Sequence, residues 1–231
     1  INRVDSPDID FNWTINPYRG CEHGCVYCYA RPTHEQLGFG SGLDFDSRLM
    51  AKVDAPELLR KELARPQWQG QTIVISGVTD PYQPVESRLK ITRRLLEIIA
   101  EARQPVSIVT KSRLILRDLD LLTQLARHNA VRVAVSITTL DNDLAARMEP
   151  RASSPRNRLW TVQRLASAGI PTSVMVAPVL PAITDREMPR ILKAARDAGA
   201  AAASYIMLRL PHANTELFDR WLAVHYPDRR A

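Results

Sequence analysis

Cysteine is scarce in this sequence of 231 residues: there are three, all between positions 21 and 28. An odd number held in one short stretch excludes a disulfide scaffold. A secretory leader is missing too, because the first ten residues are acidic and polar rather than positive and then apolar. No apolar run approaches the length of a membrane-crossing helix, so the chain is read as soluble and cytoplasmic, with no membrane partner. No Gly/Ser-rich linker or break in composition divides it, and one domain over residues 1–231 is expected. The start at Ile1 and the charged "HYPDRRA" after the last helical pattern read as a piece of a slightly longer chain.

What is present is a globular composition, 45% hydrophobic and 24% charged. The 31 Lys and Arg outnumber the 25 Asp and Glu, leaving a net charge of +6, which suits a polyanionic partner. Charge alone does not single one out, since arginines in stretches such as "LKITRRLLEI" also serve as solvated helix faces.

Short apolar, β-branched runs alternate with helical patterns. "TIVIS" from Thr72, "VSIVT" from Val106, "VRVAVSIT" from Val131, "TSVMVAP" from Thr172 and "SYIML" from Ser204 each read as a strand buried on both faces. "FNWTINPY", with Phe11, Trp13 and Ile15 alternating with polar residues, adds a first strand. Between them, sets such as Leu95, Leu96 and Ile99, or Leu159, Val162 and Leu165, recur at helical spacing. Repeated βα units imply a parallel sheet, either doubly wound or curved into a partial barrel, and periodicity does not separate the two.

The cysteines are spaced Cys21-x3-Cys25-x2-Cys28, on the loop after the first strand, where parallel α/β folds carry active sites. Three thiolates on an iron-sulfur cubane leave one iron open to an outside ligand, and S-adenosylmethionine has an amino and a carboxylate group to offer it. Zinc is the bland alternative, with His23 or His34 as a fourth ligand, although the second Cys pair of a structural zinc site is missing. Free redox thiols would give no reason for a third cysteine.

"CEHGCVYC", with Tyr27 before the last cysteine, resembles the signature of the radical S-adenosylmethionine superfamily. "NPYRGCEHGCVYCYARP", "SGVTDPYQPVE", "SITTLD", "MEPRASSPRNRL" and "VMVAPVLP" together are similar to its spore photoproduct lyase-like, photolyase-related branch. The resemblance implies a partial (β/α)6 TIM-like barrel of parallel strands with outer helices, a 4Fe-4S cluster on Cys21, Cys25 and Cys28, and bound S-adenosylmethionine. It implies reductive cleavage of that cofactor to a 5'-deoxyadenosyl radical that abstracts a substrate hydrogen, with flavodoxin or ferredoxin as electron donor.

The same resemblance nominates the cofactor contacts. Ser76, Gly77 and Thr79, with Asp80 nearby, stand where the family meets the methionine amino group. Lys111 would face the methionine carboxylate, and Ser136 and Thr138 the ribose hydroxyls or that carboxylate. Glu149 and Arg151 would orient one another or the methionine zwitterion, and Val176, Ala177 and Pro178 would line the adenine pocket. Arg19, Tyr29 and Arg31 flank the cluster. Plain readings stand beside each of these: a strand-end turn at Asp80-Pro81, a surface cation, a self-satisfied hydroxyl, an ion pair. Ser153 or Ser154 is expected to cap the helix starting near Pro155, and Phe218 and Trp221 to be helix packing.

The sequence departs from the family at one point. Spore photoproduct lyase uses a further cysteine to return hydrogen to the product, and here none is left over; Tyr82 and Tyr205 are the candidates to replace it. Nucleic acid is therefore a substrate class expected by analogy. The alternatives are modification of a peptide or small molecule, or a metal-stabilised nucleic-acid-binding module without turnover. The sequence sets no oligomeric state.

Overall fold

The structure, a computed structural model, describes residues 1–5 and 11–229. Six parallel strands carry the fold: β1 (Trp13–Ile15), β2 (Ile73–Ile75), β3 (Val106–Thr110), β4 (Val131–Ser136), β5 (Thr172–Val179) and β6 (Ala202–Met207). They lie side by side in chain order, with the two-residue strand Asn2–Arg3 antiparallel on the outer edge of β1. An order that never reverses decides between the two candidate topologies. Right-handed crossovers then place the helices that join successive strands on one face, so the sheet is wound once and presents its other face inward as a TIM-like barrel does. Among the described residues the sheet stays open, because β6 and Asn2–Arg3 end it without pairing to each other.

The strands alternate accordingly. Side chains in register at Ile75, Ile108 and Val133, and at Val135 and Val174, face the helices and are buried. There they join Leu95, Leu96 and Ile99 of α2 (Ile91–Glu101), Leu122 of α3 (Leu119–Ala126), Leu165 of α5 (Pro155–Ser167) and Ile191 of α6 (Met188–Asp197) in one core. α1 (Ala55–Leu63) and α4 (Asn142–Met148) complete the order before α7 (His212–His225). The other face carries Ser107, Val109, Ala134, Ser173 and Met175, none of them fully buried. A closed barrel fills this layer with bulky branched residues; here Ser107, Ala134 and Ser173 alternate with Val109 and Met175, and the layer, the lumen side of the sheet, stays partly exposed.

Two expectations are corrected. Strands β3 to β5 are buried on the helix side only, since the lumen side is not packed. Strand β6 is exposed at every residue, including Tyr205, Ile206 and Met207, because it is the last strand and no helix among the described residues covers it. Phe218 and Trp221 of α7 are core as expected, stacked with centroids 5.6 Å apart and packed with Tyr27, Met148 and Leu180 in a second cluster beneath the cysteine loop.

Candidate active site

The cysteine loop is tied down at many points along its backbone. Cys21 N–H donates to Phe45 O at 2.9 Å. Gln83 clips the loop to the segment after β2: its amide donates to Gly20 O at 3.1 Å and accepts from Glu22 N–H at 2.9 Å. Arg31, a buried guanidinium, donates to Cys25 O at 3.0 Å and to both oxygens of Asp46. Asn214 of α7 donates to Cys28 O, and Arg151 to Glu22 O. A loop held this way presents its three thiols without relying on a metal to order it.

Those thiols are mostly withdrawn from solvent. Cys21 is 7% exposed, and Cys25 and Cys28 are intermediate. Burial pushes the Cys21 thiol up to about 12 and raises Cys25 and Cys28 as well, so iron must displace protons as it binds. Lys111 offsets part of this penalty at Cys25 and Cys28. Among the described residues no three Cys, His, Asp or Glu side chains converge tightly enough for a single ion; a cubane, whose irons occupy separate corners, does not ask that of them. The histidines a zinc site would recruit do not converge with the thiols on a single ion among the described residues, and each has one ring nitrogen engaged, with His34 Nδ1 left unpartnered. His23 Nδ1 lies 3.5 Å from Asp80, and burial lowers its pKa to about 4, while His34 Nε2 meets Arg48 O at 3.0 Å. Three thiols with no fourth protein ligand fit an open cubane.

Behind the loop stands Glu149, fully buried. It accepts from the Tyr27 hydroxyl, from Thr138 Oγ1 at 2.9 Å and from the Arg158 guanidinium. Arg158 also donates to Ser136 O at 3.1 Å and to Ser153 O at 2.7 Å. One buried ion pair therefore joins the cysteine loop, the end of β4 and the start of α5. The expected pairing of Glu149 with Arg151 is not formed, because Arg151 turns outward to the Glu22 carbonyl. Desolvation raises the Glu149 pKa against the opposing pull of Arg158.

The strand ends converge on the same mouth. Ser76 and Gly77 follow β2 with φ of 145° and 131°; Ser76 Oγ donates to Thr79 O at 3.2 Å, and Gly77 O accepts from the Tyr29 hydroxyl. Thr79 Oγ1 donates to Tyr18 O at 3.4 Å. Asp80 is saturated by Thr110 Oγ1 and Lys111 N–H, each at 2.7 Å, and by Tyr82 N–H at 2.8 Å, which makes it a strut. Lys111 Nζ lies 3.5 Å from Ala177 O and 5.8 Å from the centre of the Tyr27 ring, with its pKa lowered by burial. Ser136 Oγ donates to Ala177 O at 3.1 Å. Val176 faces the helix-side core, so of the Val176–Ala177–Pro178 trio only Val176 is removed from the lumen by its side chain. Neither candidate tyrosine reaches the lumen. Tyr82 is buried against Arg117, and Tyr205, in register with Val176, stands on the outer face of β6.

A serine at a positive φ is strained by about 1–3 kcal/mol. Ser76→Gly relieves that strain but loses the bond to Thr79, about 1 kcal/mol, so a net gain of about 1 kcal/mol is expected to raise the melting temperature by about 2–4 °C, while removing a hydroxyl from the mouth. A thermal melt that falls instead would show that the bond to Thr79 outweighs the strain.

Gln83, Arg158 and Asn214 were not singled out by the motif reading. For Arg158 a signal existed, since it shares a helical face with Pro155, Val162 and Leu165, where an arginine must have a buried partner. Asn214 reaches the loop across 186 residues and carries no such mark. Ser154, as expected, caps α5 by accepting from Asn157 N–H.

The family profile that matches, over residues 15–195, is described as the Radical SAM superfamily. An uncharacterised protein of Mycobacterium tuberculosis is 38% identical over 231 residues, which are 99% of this chain and 68% of that protein. A relative from Pseudomonas phage M6, named as a radical SAM Nα-GlyT isomerase, is 26% identical over 74% of this chain and 34% of its own. Among solved structures, a spore photoproduct lyase variant with bound S-adenosylmethionine and dinucleoside spore photoproduct superposes with a TM-score of 0.68 at 20% identity, over 99% of this chain and 65% of that one. The chain thus spans about two thirds of the length of these proteins, apart from the longer phage relative.

Proposed function

Since the chain belongs to the radical SAM superfamily, whose members use a 4Fe-4S cluster and S-adenosylmethionine, we propose that it is the core of an enzyme that modifies or repairs a nucleic acid by hydrogen abstraction. When bound and reduced, the cluster supplies the electron that splits S-adenosylmethionine into methionine and a 5'-deoxyadenosyl radical.

The observation that carries this reading is the meeting of the three-thiol loop with Lys111, Ser136 and Thr138 at the carboxyl ends of the strands. Cys21, Cys25 and Cys28 would hold the cluster. Lys111, whose ammonium lies beside the Tyr27 ring, is suited to the methionine carboxylate, and its desolvation strengthens the pairing. Tyr27 and Thr138 are held by Glu149 and shape the wall. Ala177 offers its lumen-side surface to the adenine, and its carbonyl is already engaged by Ser136. The nucleic-acid substrate class is supported by the dinucleoside bound in the structure that shares this fold and by the net charge of +6.

Anaerobic reconstitution with iron and sulfide, followed by dithionite and S-adenosylmethionine, tests the chemistry. The expected product is 5'-deoxyadenosine, falling by more than about a hundredfold in Cys25→Ala, as when a group essential to the chemistry is removed. Zinc binding without cubane absorption or product would defeat the reading. For the substrate, transfer of deuterium from labelled DNA or RNA into 5'-deoxyadenosine is expected, and label arriving only from a peptide would move the assignment.

A further inference from the structure

The geometry points to a second functional surface, a dock for an acidic one-electron carrier protein in the groove behind the cysteine loop. It rests on the proposed function and names where that enzyme receives its electron.

The groove encloses about 560 Å³. One wall is the loop itself: His23, between Cys21 and Cys25, lines it together with Arg151. The Arg151 guanidinium lies so close over Gly24 that a Cβ there would sit 3.2 Å from Nη2. Ser76, Lys111, Ser136 and Thr138 do not line the groove, so it meets the loop from outside the mouth that holds the cofactor. Three arginines line it, Arg113, Arg117 and Arg151, and among the described residues no carboxylate does. Arg117 is held by Glu86 and Asp118, whereas Arg113 makes no ion pair among the described residues and Arg151 bonds a carbonyl. Trp160, 45% exposed, closes the far side, and Arg156 lies one helical turn before it on α5. An exposed tryptophan among arginines is the composition of a binding hot spot, and an unopposed positive surface steers an acidic partner.

The cysteine count adds the reason for this location. All three cysteines of this sequence belong to the loop, so these residues hold no second cluster to relay electrons, and a carrier seated against the loop reaches the cluster directly. A polynucleotide also recognises arginine and tryptophan, but one seated here would lie outside the mouth where the strand-end groups gather. The electron balance is one for one. The carrier is oxidised by one electron, and that electron breaks the carbon–sulfur bond of one S-adenosylmethionine to give methionine and the 5'-deoxyadenosyl radical.

Formation of 5'-deoxyadenosine by the cluster-loaded protein is to be measured against the concentration of reduced flavodoxin, of reduced ferredoxin and of dithionite, for wild type, Arg113→Glu and Trp160→Ala. Dithionite needs no dock, and all three proteins are expected to turn over with it within about twofold of one another. With the carriers, the half-saturating concentration is expected to rise about tenfold in each variant, the size of one lost interface contact. Added salt should weaken the wild type more than Arg113→Glu. Unchanged half-saturation in both variants overturns the dock, as does wild type that responds to dithionite and to neither carrier. Variants that also fail with dithionite overturn it by assigning the groove to loop stability. Loss of oligothymidylate binding with unchanged carrier kinetics overturns it in favour of nucleic acid. Wild type inert even to dithionite removes the enzymatic reading, and the dock with it.

Discussion

Arg158→Met is expected to lower the melting temperature by about 10 °C and to abolish S-adenosylmethionine cleavage at temperatures where the variant is still folded. The side chain is 2% exposed and its partner Glu149 0%. Removing one member of such a pair leaves a buried charge uncompensated, at a cost of about 3–5 kcal/mol, which in a chain of this size lowers the melting temperature by roughly 2–4 °C per kcal/mol. The effect has a pH signature. Burial already holds the Glu149 pKa above its ordinary value, with Arg158 pulling the other way, so in the variant the folded-state pKa rises further. A carboxyl whose folded pKa is raised contributes most while protonated, and that contribution is lost as pH climbs from the unfolded pKa through the folded one. The stability gap between wild type and variant should therefore widen from pH 5 to pH 8. Adding Glu149→Gln should restore part of the loss, because the amide keeps an acceptor for Tyr27 or Thr138 without the charge. Melts at the two pH values on the single and double variants check both statements, and a gap independent of pH would show that lost packing rather than the orphaned carboxylate destabilises the variant.

Gly20→Ala is expected to cost the protein its cluster while leaving most of its secondary structure. Gly20 sits at φ +77°, and a Cβ there would stand 2.8 Å from Phe45 O and 2.9 Å from Leu49 Cδ2. Phe45 O is the acceptor for Cys21 N–H, so relieving the collision pulls on the bond that seats the first thiol. Gly20 O is itself held by Gln83, which leaves the loop little room to shift. Gly70 provides the control. It has a similar φ of +72° with nothing within 4 Å of the added carbon, so Gly70→Ala bears only the left-handed backbone cost of about 1–2 kcal/mol. Iron and sulfide content after reconstitution should fall below about half in Gly20→Ala, as expected when the ligand geometry is displaced, and stay near wild type in Gly70→Ala. Equal loading of the two would remove the steric argument.

Much of this architecture could be read from one-dimensional patterns. All six strands lie where apolar runs placed them, and the thiols, the cap at Ser154 and the packing of Phe218 and Trp221 follow from local chemistry. The choice between a doubly wound and a singly wound sheet did not follow from periodicity, because both use the same βα repeat and differ only in which neighbour each strand pairs with; the motif resemblance supplied it. A pairing of Glu149 with Arg151, two residues away, is one of the two roles the sequence suggests, and its partner is Arg158 instead; sequence proximity gave way to the rotation of α5, which turns Arg158 inward with Val162 and Leu165. The exposure of β6 was hidden because "SYIML" has the composition of an interior strand and its surroundings depend on what lies beyond it.

The unclosed sheet has a topological consequence. A sealed barrel admits a guest only along its axis, so a polymer has to be threaded by a terminus or looped out into the mouth. Among the described residues Asn2–Arg3 and β6 remain separate edges, so no backbone ladder seals the seam between them. If the proposed polynucleotide is the substrate, it could be laid in there at an internal residue, with no free end required.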